Sequence, residues 1–159
     1  MFFSLLLFYK NYITISFMIR FLLPIPPSAN TLFMNYGKKR KKTDSYEMWI
    51  GEASQMILEQ KPPNMTDRCI IVYDMQCPNK SRDSGNCEKA LTDILVTHGI
   101  IKDDSYKYVK GVFPVWNDDK GDFVGINIFS LEKSEDIEEF FYLCSSFLES
   151  VEAVRDSGG

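Results

Sequence analysis

From residue 87 to residue 98 the apolar residues fall in a single rhythm. Cys87, Ala90, Leu91, Ile94, Leu95 and His98 recur in steps of three and four, the spacing of one buried helix face. Asn86 stands where a side-chain oxygen can accept from the free amides of a first turn, so it is the expected N-cap. Gly99 suits the left-handed position that ends a helix, with Ile100 folding back as its hydrophobic contact. Few other arrangements suit this stretch, and it fixes acids at both ends: Asp83 before the helix, Asp103 and Asp104 after it. Between them Lys89 and Asp93 stand four residues apart on the polar face.

The 159 residues amount to one domain, and 45% hydrophobic and 14% aromatic content belong to a folded globular chain. The net charge of −4 conceals an uneven distribution. Residues 131–159 hold 8 acidic and 2 basic residues, whereas residues 1–130 hold 16 basic and 14 acidic. A mildly basic body therefore carries an acidic tail. The four cysteines (Cys69, Cys77, Cys87, Cys144) form no C-x-x-C pair, and His98 is the only histidine. A zinc site and His-dependent nucleophilic catalysis both lack their raw material. Free thiols in a reducing cytoplasm are expected, and His98 is expected to serve structure or capping.

Residues 1–17 begin with an apolar run, Met1 to Phe8, too short to span a bilayer and interrupted by Lys10. They read as an over-extended start with Met18 as the initiator; a membrane-associated extension is the other reading. No stable membrane association is expected. Ile19 to Ile25 reads as a first strand, followed by a rigid proline corner, Pro24-Ile25-Pro26-Pro27-Ser28. After Gly37, five consecutive cations (Lys38, Lys39, Arg40, Lys41, Lys42) read alone as a solvated loop. Beside carboxylates they become a candidate contact for a phosphate backbone.

Asp44 and Glu47 form a D-x-x-E capping box opening a helix to Gln60. Its buried stripe is Tyr46, Trp49, Ile50, Ala53, Met56 and Ile57, and Lys61-Pro62-Pro63-Asn64 stops it. Arg68 to Cys77 and Tyr106 to Val115 read as strands. Asn117 to Gly121 is a turn, and Phe123 to Leu131 is the strand returning from it. Ser134 to Arg155 reads as a helix whose apolar residues (Ile137, Phe140, Phe141, Cys144, Phe147, Leu148, Val151) either cover the sheet or dock on a partner. The order β-α-β-α-β-β predicts an α+β fold: a small mixed β-sheet with two helices packed on it, plus a C-terminal amphipathic helix. The organisation follows: residues 1–17, a domain over 18–131, and an acidic helix and tail over 132–159.

Three blocks, in order, resemble the RusA family of Holliday-junction resolvases over roughly residues 18–131. They are Pro26-Pro27-Ser28-x-Asn30; Gly37 with the cations, Thr43, Tyr46 and Trp49; and Arg82-Asp83-x-x-Asn86-x-x-Lys89-Ala90-x-x-Asp93-x-Leu95, followed by Gly99-Ile100-x-x-Asp103-Asp104. The resemblance implies a magnesium-dependent (Mg2+) homodimeric endonuclease that nicks opposing strands of four-way DNA junctions in recombination and repair. It maps Asp83 and Asp104 to metal binding, Lys89 to catalysis beside them, and Asn86 to the motif's asparagine. With Arg82 and the cations Lys38 to Lys42, Asn86 is an expected DNA contact. The motif's second aspartate falls on Gly85, a departure at a catalytic position.

Phosphodiester hydrolysis needs an activated water and compensation of charge at phosphorus. Magnesium on one or two carboxylates plus waters can meet both needs. Glu88 or Asp103 is the expected replacement for the carboxylate lost at Gly85. Plainer readings stand beside these. Asp83 could simply favour a helix dipole, Lys89 and Asp93 could be an i,i+4 surface pair, and Asp103-Asp104 could be a turn. A junction-binding protein with weakened or lost cleavage is the alternative function.

Overall fold

The computed structural model describes residues 18–76, 85–117 and 119–157, with the side chains at 85, 86, 150 and 154–157 outside the description. Four strands form the main sheet: β1 (Ile19–Pro24), β4 (Cys69–Met75), β5 (Val109–Trp116) and β6 (Phe123–Ser130), in the order β1-β6-β4-β5. Strands β4 and β5 are parallel, whereas β6 runs antiparallel to both β1 and β4. A separate two-stranded hairpin pairs β2 (Phe33–Tyr36) with β3 (Lys39–Lys42). Among the described residues, three α-helices and a short 3-10 turn (Ala29–Thr31) complete the fold: α1 (Asp44–Gln60), α2 (Gly85–Thr97) and α3 (Ser134–Ser157). The expected mixed α+β architecture is present.

Period-two alternation sends Val124, Ile126 and Ile128 of β6 to one face and Phe129 to the other. The first set, with Ile71, Tyr73 and Met75 of β4 and Phe21 and Leu23 of β1, meets α1 and α2 in the principal core. The second face is smaller: Met18, Val72 and Phe129 pack against Phe140 and Leu143 of α3. Among the described side chains of α3, those packed on this face, Phe140 and Leu143, come from its first half. Asp136 anchors its start by accepting the Ser130 amide at 2.7 Å, and Glu139 pairs with Arg20 of β1 at 2.6 Å. Farther along, Phe141, Leu148 and Val151 are exposed.

Helix α1 lays the expected stripe on the core: Tyr46, Trp49, Ala53 and Ile57 are buried, and Ile50 and Met56 are half-buried. Its cap lies one residue earlier than the D-x-x-E pattern suggests. Thr43 is the N-cap, its hydroxyl accepting from the Tyr46 amide, and Asp44 is already helical. Thr43 competes successfully because its hydroxyl also donates to the Thr31 carbonyl at 2.7 Å, tying the helix to the 3-10 turn Ala29–Thr31 before the hairpin. The Trp49 indole donates to the Pro24 carbonyl at 2.9 Å, holding the proline corner against α1. At the far end, the Gln60 amide both accepts from the Leu22 N–H and donates to the Leu22 carbonyl on β1.

Two other expectations change. The cationic segment is not a loop: Lys39–Lys42 pairs residue for residue with Phe33–Tyr36. Gly37 has φ +60° and is followed by Lys38 without positive φ, the pattern of a two-residue hairpin turn with glycine first. Nor does β6 return beside β5; it lies on the far side of β4. Asn117 redirects the chain, its amide donating to the Met75 carbonyl and its side chain to Asp74. Pro114, lacking an N–H, suits β5 to the sheet edge.

Candidate functional site

Helix α2 positions most of the candidate side chains. Its apolar residues Cys87, Ala90, Leu91, Ile94 and Leu95 are all buried, as the spacing predicts. The C-terminal end closes as expected: the Ile100 amide bonds to the Leu95 carbonyl and the Gly99 amide to Val96, with Gly99 at φ +68°. His98 is structural, its Nε2 lying 2.8 Å from the Ser54 hydroxyl of α1. The N-terminal expectation shifts by one turn position. The helix already includes Gly85, so Asn86 lies inside the first turn and is not its cap.

Beneath the polar face, a buried hydroxyl relay ties α2 to the sheet. The Tyr73 phenol lies 2.8 Å from the Thr92 hydroxyl, which in turn donates to the Glu88 carbonyl. Burial raises the Tyr73 phenol well above its ordinary range, so it stays neutral. Glu88 in the first turn, Lys89 and Asp93 then face outward. Lys89 Nζ lies 3.2 Å from Asp93 Oδ1.

These residues line two adjoining hollows. One, of about 340 Å³, is bounded by Glu88, Lys89, Thr92, Asp93, Asp104 and Val112. The other, of about 360 Å³, runs between α1, α2 and the base of the hairpin, with Phe33, Lys42, Tyr46, Asp93 and Asp104 in its walls. Asp93 and Asp104 are common to both, so the hollows form one groove with carboxylates at its centre and a cation at its hairpin end. Lys42 Nζ is 5.6 Å from the Tyr46 ring. Burial, and secondarily the negative charge of Asp93, raises the Tyr46 phenol.

The groove brings together Lys89, Glu88, Asp104 and Lys42 of the sequence-predicted set, and adds Asp93 and Thr92. Asp103 does not line it. Its carboxylate accepts from the Ser105 amide at 2.6 Å, and the Ser105 hydroxyl and amide hold it below the usual carboxylate range. That turn occupies one oxygen of the Asp103 carboxylate. Lys38, Lys39, Arg40 and Lys41 are carried on the hairpin. Asp83 and Arg82 lie outside the described residues, as does the Asn86 side chain.

Among the described residues, no three Asp, Glu, His or Cys side chains gather closely enough to hold a metal ion by themselves. Glu88 and Asp104 both line one hollow and both carry hard oxygen donors, the ligand type that magnesium takes, one or two carboxylates with water completing the shell. The spacing presented Asp93 as an i,i+4 partner for Lys89, a pairing that looks complete in itself, and not as a wall of the site. The signal for Thr92 was a polar residue between the apolar positions Leu91 and Ile94.

No protein-family model matches the chain, and no curated protein matches it. Among the described residues, no helix is long and apolar enough to cross a membrane.

Proposed function

We propose that the chain is a magnesium-dependent endonuclease of branched DNA, a RusA-like resolvase of four-way junctions in recombination and repair. The observation that carries this reading is the groove in which Glu88, Lys89, Asp93 and Asp104 meet beside the cationic hairpin. Phosphoryl chemistry needs that combination: anions to hold a metal, a lysine to face a phosphate, and further cations to receive the backbone. Bound there, magnesium would supply an activated water and offset charge on the phosphate.

In this reading Asp83, Asp104 and Glu88 hold the ion, and Lys89, steadied by Asp93, balances charge on the scissile phosphate. Lys38, Lys39, Arg40, Lys41, Lys42, Arg82 and Asn86 contact the DNA strands. A homodimer would present two such grooves to opposing strands, in a reducing cytoplasm. A second reading, a junction binder with weakened cleavage, is favoured by Gly85 at the motif's second aspartate and by the lack of a three-carboxylate cluster among the described residues.

The test incubates the full chain with a synthetic four-way junction, first with magnesium and then with EDTA. Paired nicks that need the metal, and that fall at least about a hundredfold in Asp83→Asn, Asp104→Asn and Lys89→Ala, support the enzyme. Unchanged cutting by Glu88→Gln would remove Glu88 from the ligand set. Tight binding without nicks, with cutting gained on Gly85→Asp, selects the second reading. Neither binding nor nicks at low salt would sink both.

A further inference from the structure

The two faces of the hairpin differ. Antiparallel partners project to the same side, so the register places Phe33, Lys42, Asn35 and Arg40 on one face and Met34, Lys41, Tyr36 and Lys39 on the other. The first face meets the groove at Phe33 and Lys42. There the Arg40 guanidinium lies 4.7 Å from the Phe33 ring, and Phe33 meets Tyr46 edge-on at 5.7 Å. The second face has no such cover: Tyr36 is 76% exposed and Met34 46% exposed, flanked by the exposed Lys39 and Lys41.

Nothing in core packing requires a tyrosine at this position. Tyr36 adjoins the turn at Gly37, on a ribbon separate from the main sheet. Three residues of extended chain carry it about 10 Å from Phe33 at the groove. An aromatic plane two residues from a thioether, with one ammonium group opposite it and a second on the diagonal, is complementary to one kind of ligand: a flat ring on a polyanionic backbone.

We propose that this outer face is a stacking platform for an unpaired nucleobase. Tyr36 takes the ring, Met34 packs beside it, and Lys39 and Lys41 receive the flanking phosphates. Bases inside a duplex offer only their edges, so the platform engages bases freed from the stack, as at a branch point or in a single strand. It thereby distinguishes branched from continuous DNA. The inference rests on the reading of the groove as a DNA-cleaving site for its biological setting, but its binding chemistry can be tested separately.

The experiment places 2-aminopurine at the crossover of a four-way junction, in a single strand and in a matched linear duplex, and measures affinity and fluorescence with the full chain. Stacking on Tyr36 changes the probe's emission in the first two ligands. Tyr36→Ala should weaken them about tenfold, from a stacking contribution of roughly 1–3 kcal/mol, and leave the duplex unchanged. Tyr36→Phe should restore binding, and Lys39→Ala with Lys41→Ala should weaken all three ligands. Equal affinity of parent and Tyr36→Ala for junction and single strand overturns the platform even if the parent nicks junctions. An equal loss on all three ligands also overturns it, since a β-ribbon seated in a duplex groove would behave that way. Conversely, Tyr36-dependent stacking in a chain that never nicks DNA would uphold the platform and remove the nuclease reading.

Discussion

Asp93 and Asp74 show how similar carboxylates acquire different roles from their surroundings. Asp93 is held by Lys89 at the centre of an open groove, where its charge reaches both a lysine and the Tyr46 ring. Asp74 lies half-buried on β4, where burial is the leading cause of its raised pKa, opposed by the hydrogen bond from Asn117. Between the ordinary aspartate value and that raised value, the folded chain binds more protons than the unfolded one. Stability therefore falls as pH rises through that window, and the charged form remains unfavourable above it. Asp74→Asn keeps an oxygen for Asn117 and should unfold at a higher urea concentration than the parent at pH 7, with the advantage gone at pH 3. A lower midpoint for the variant at pH 7 would show that the charge itself is needed.

At the scale of elements, legibility followed the strength of the local signal. Helix α2 was readable almost residue by residue, because its apolar rhythm and Gly99 agree with each other and with the packing. Gly99→Ala should cost about 1–2 kcal/mol, the penalty of placing a Cβ in the left-handed region, read as a lower urea midpoint. A variant as stable as the parent would mean that the turn relaxes. The hairpin was misread because lysine has little strand propensity and five cations obscure any alternation. Its signal was Gly37 after Phe33-Met34-Asn35-Tyr36. The order of β5 and β6 was hidden for another reason: turn residues fix a change of direction but not which strand the chain rejoins, and the decisive contact, Asn117 to Met75 and Asp74, is long-range. Likewise the groove needs α1, α2 and the hairpin brought together, so spacing along α2 could name Lys89 and Glu88 but not Asp93 as its centre.

The whole molecule separates its charges: the hairpin carries a cluster of cations, while the start of α3, with Glu135, Asp136, Glu138 and Glu139 around the sheet-packed Phe140, lies against the opposite face of the sheet. A polyanion approaching from the groove side therefore meets attraction first and the acidic helix last. The same architecture leaves β1 and β5 as the two outer strands, and the Gln60 clamp on Leu22 then has a consequence beyond holding α1 in place. A strand at the rim of a sheet can recruit a strand from another chain and seed aggregation. Gln60 occupies both peptide groups of Leu22 with its own amide, and Pro114 denies β5 one donor. Replacing Gln60 with alanine should hasten the growth of thioflavin-binding fibrils on mild heating, and kinetics no faster than the parent's would show that the rim is protected by other means. One glutamine at the end of a helix thus closes part of the sheet rim to strand addition.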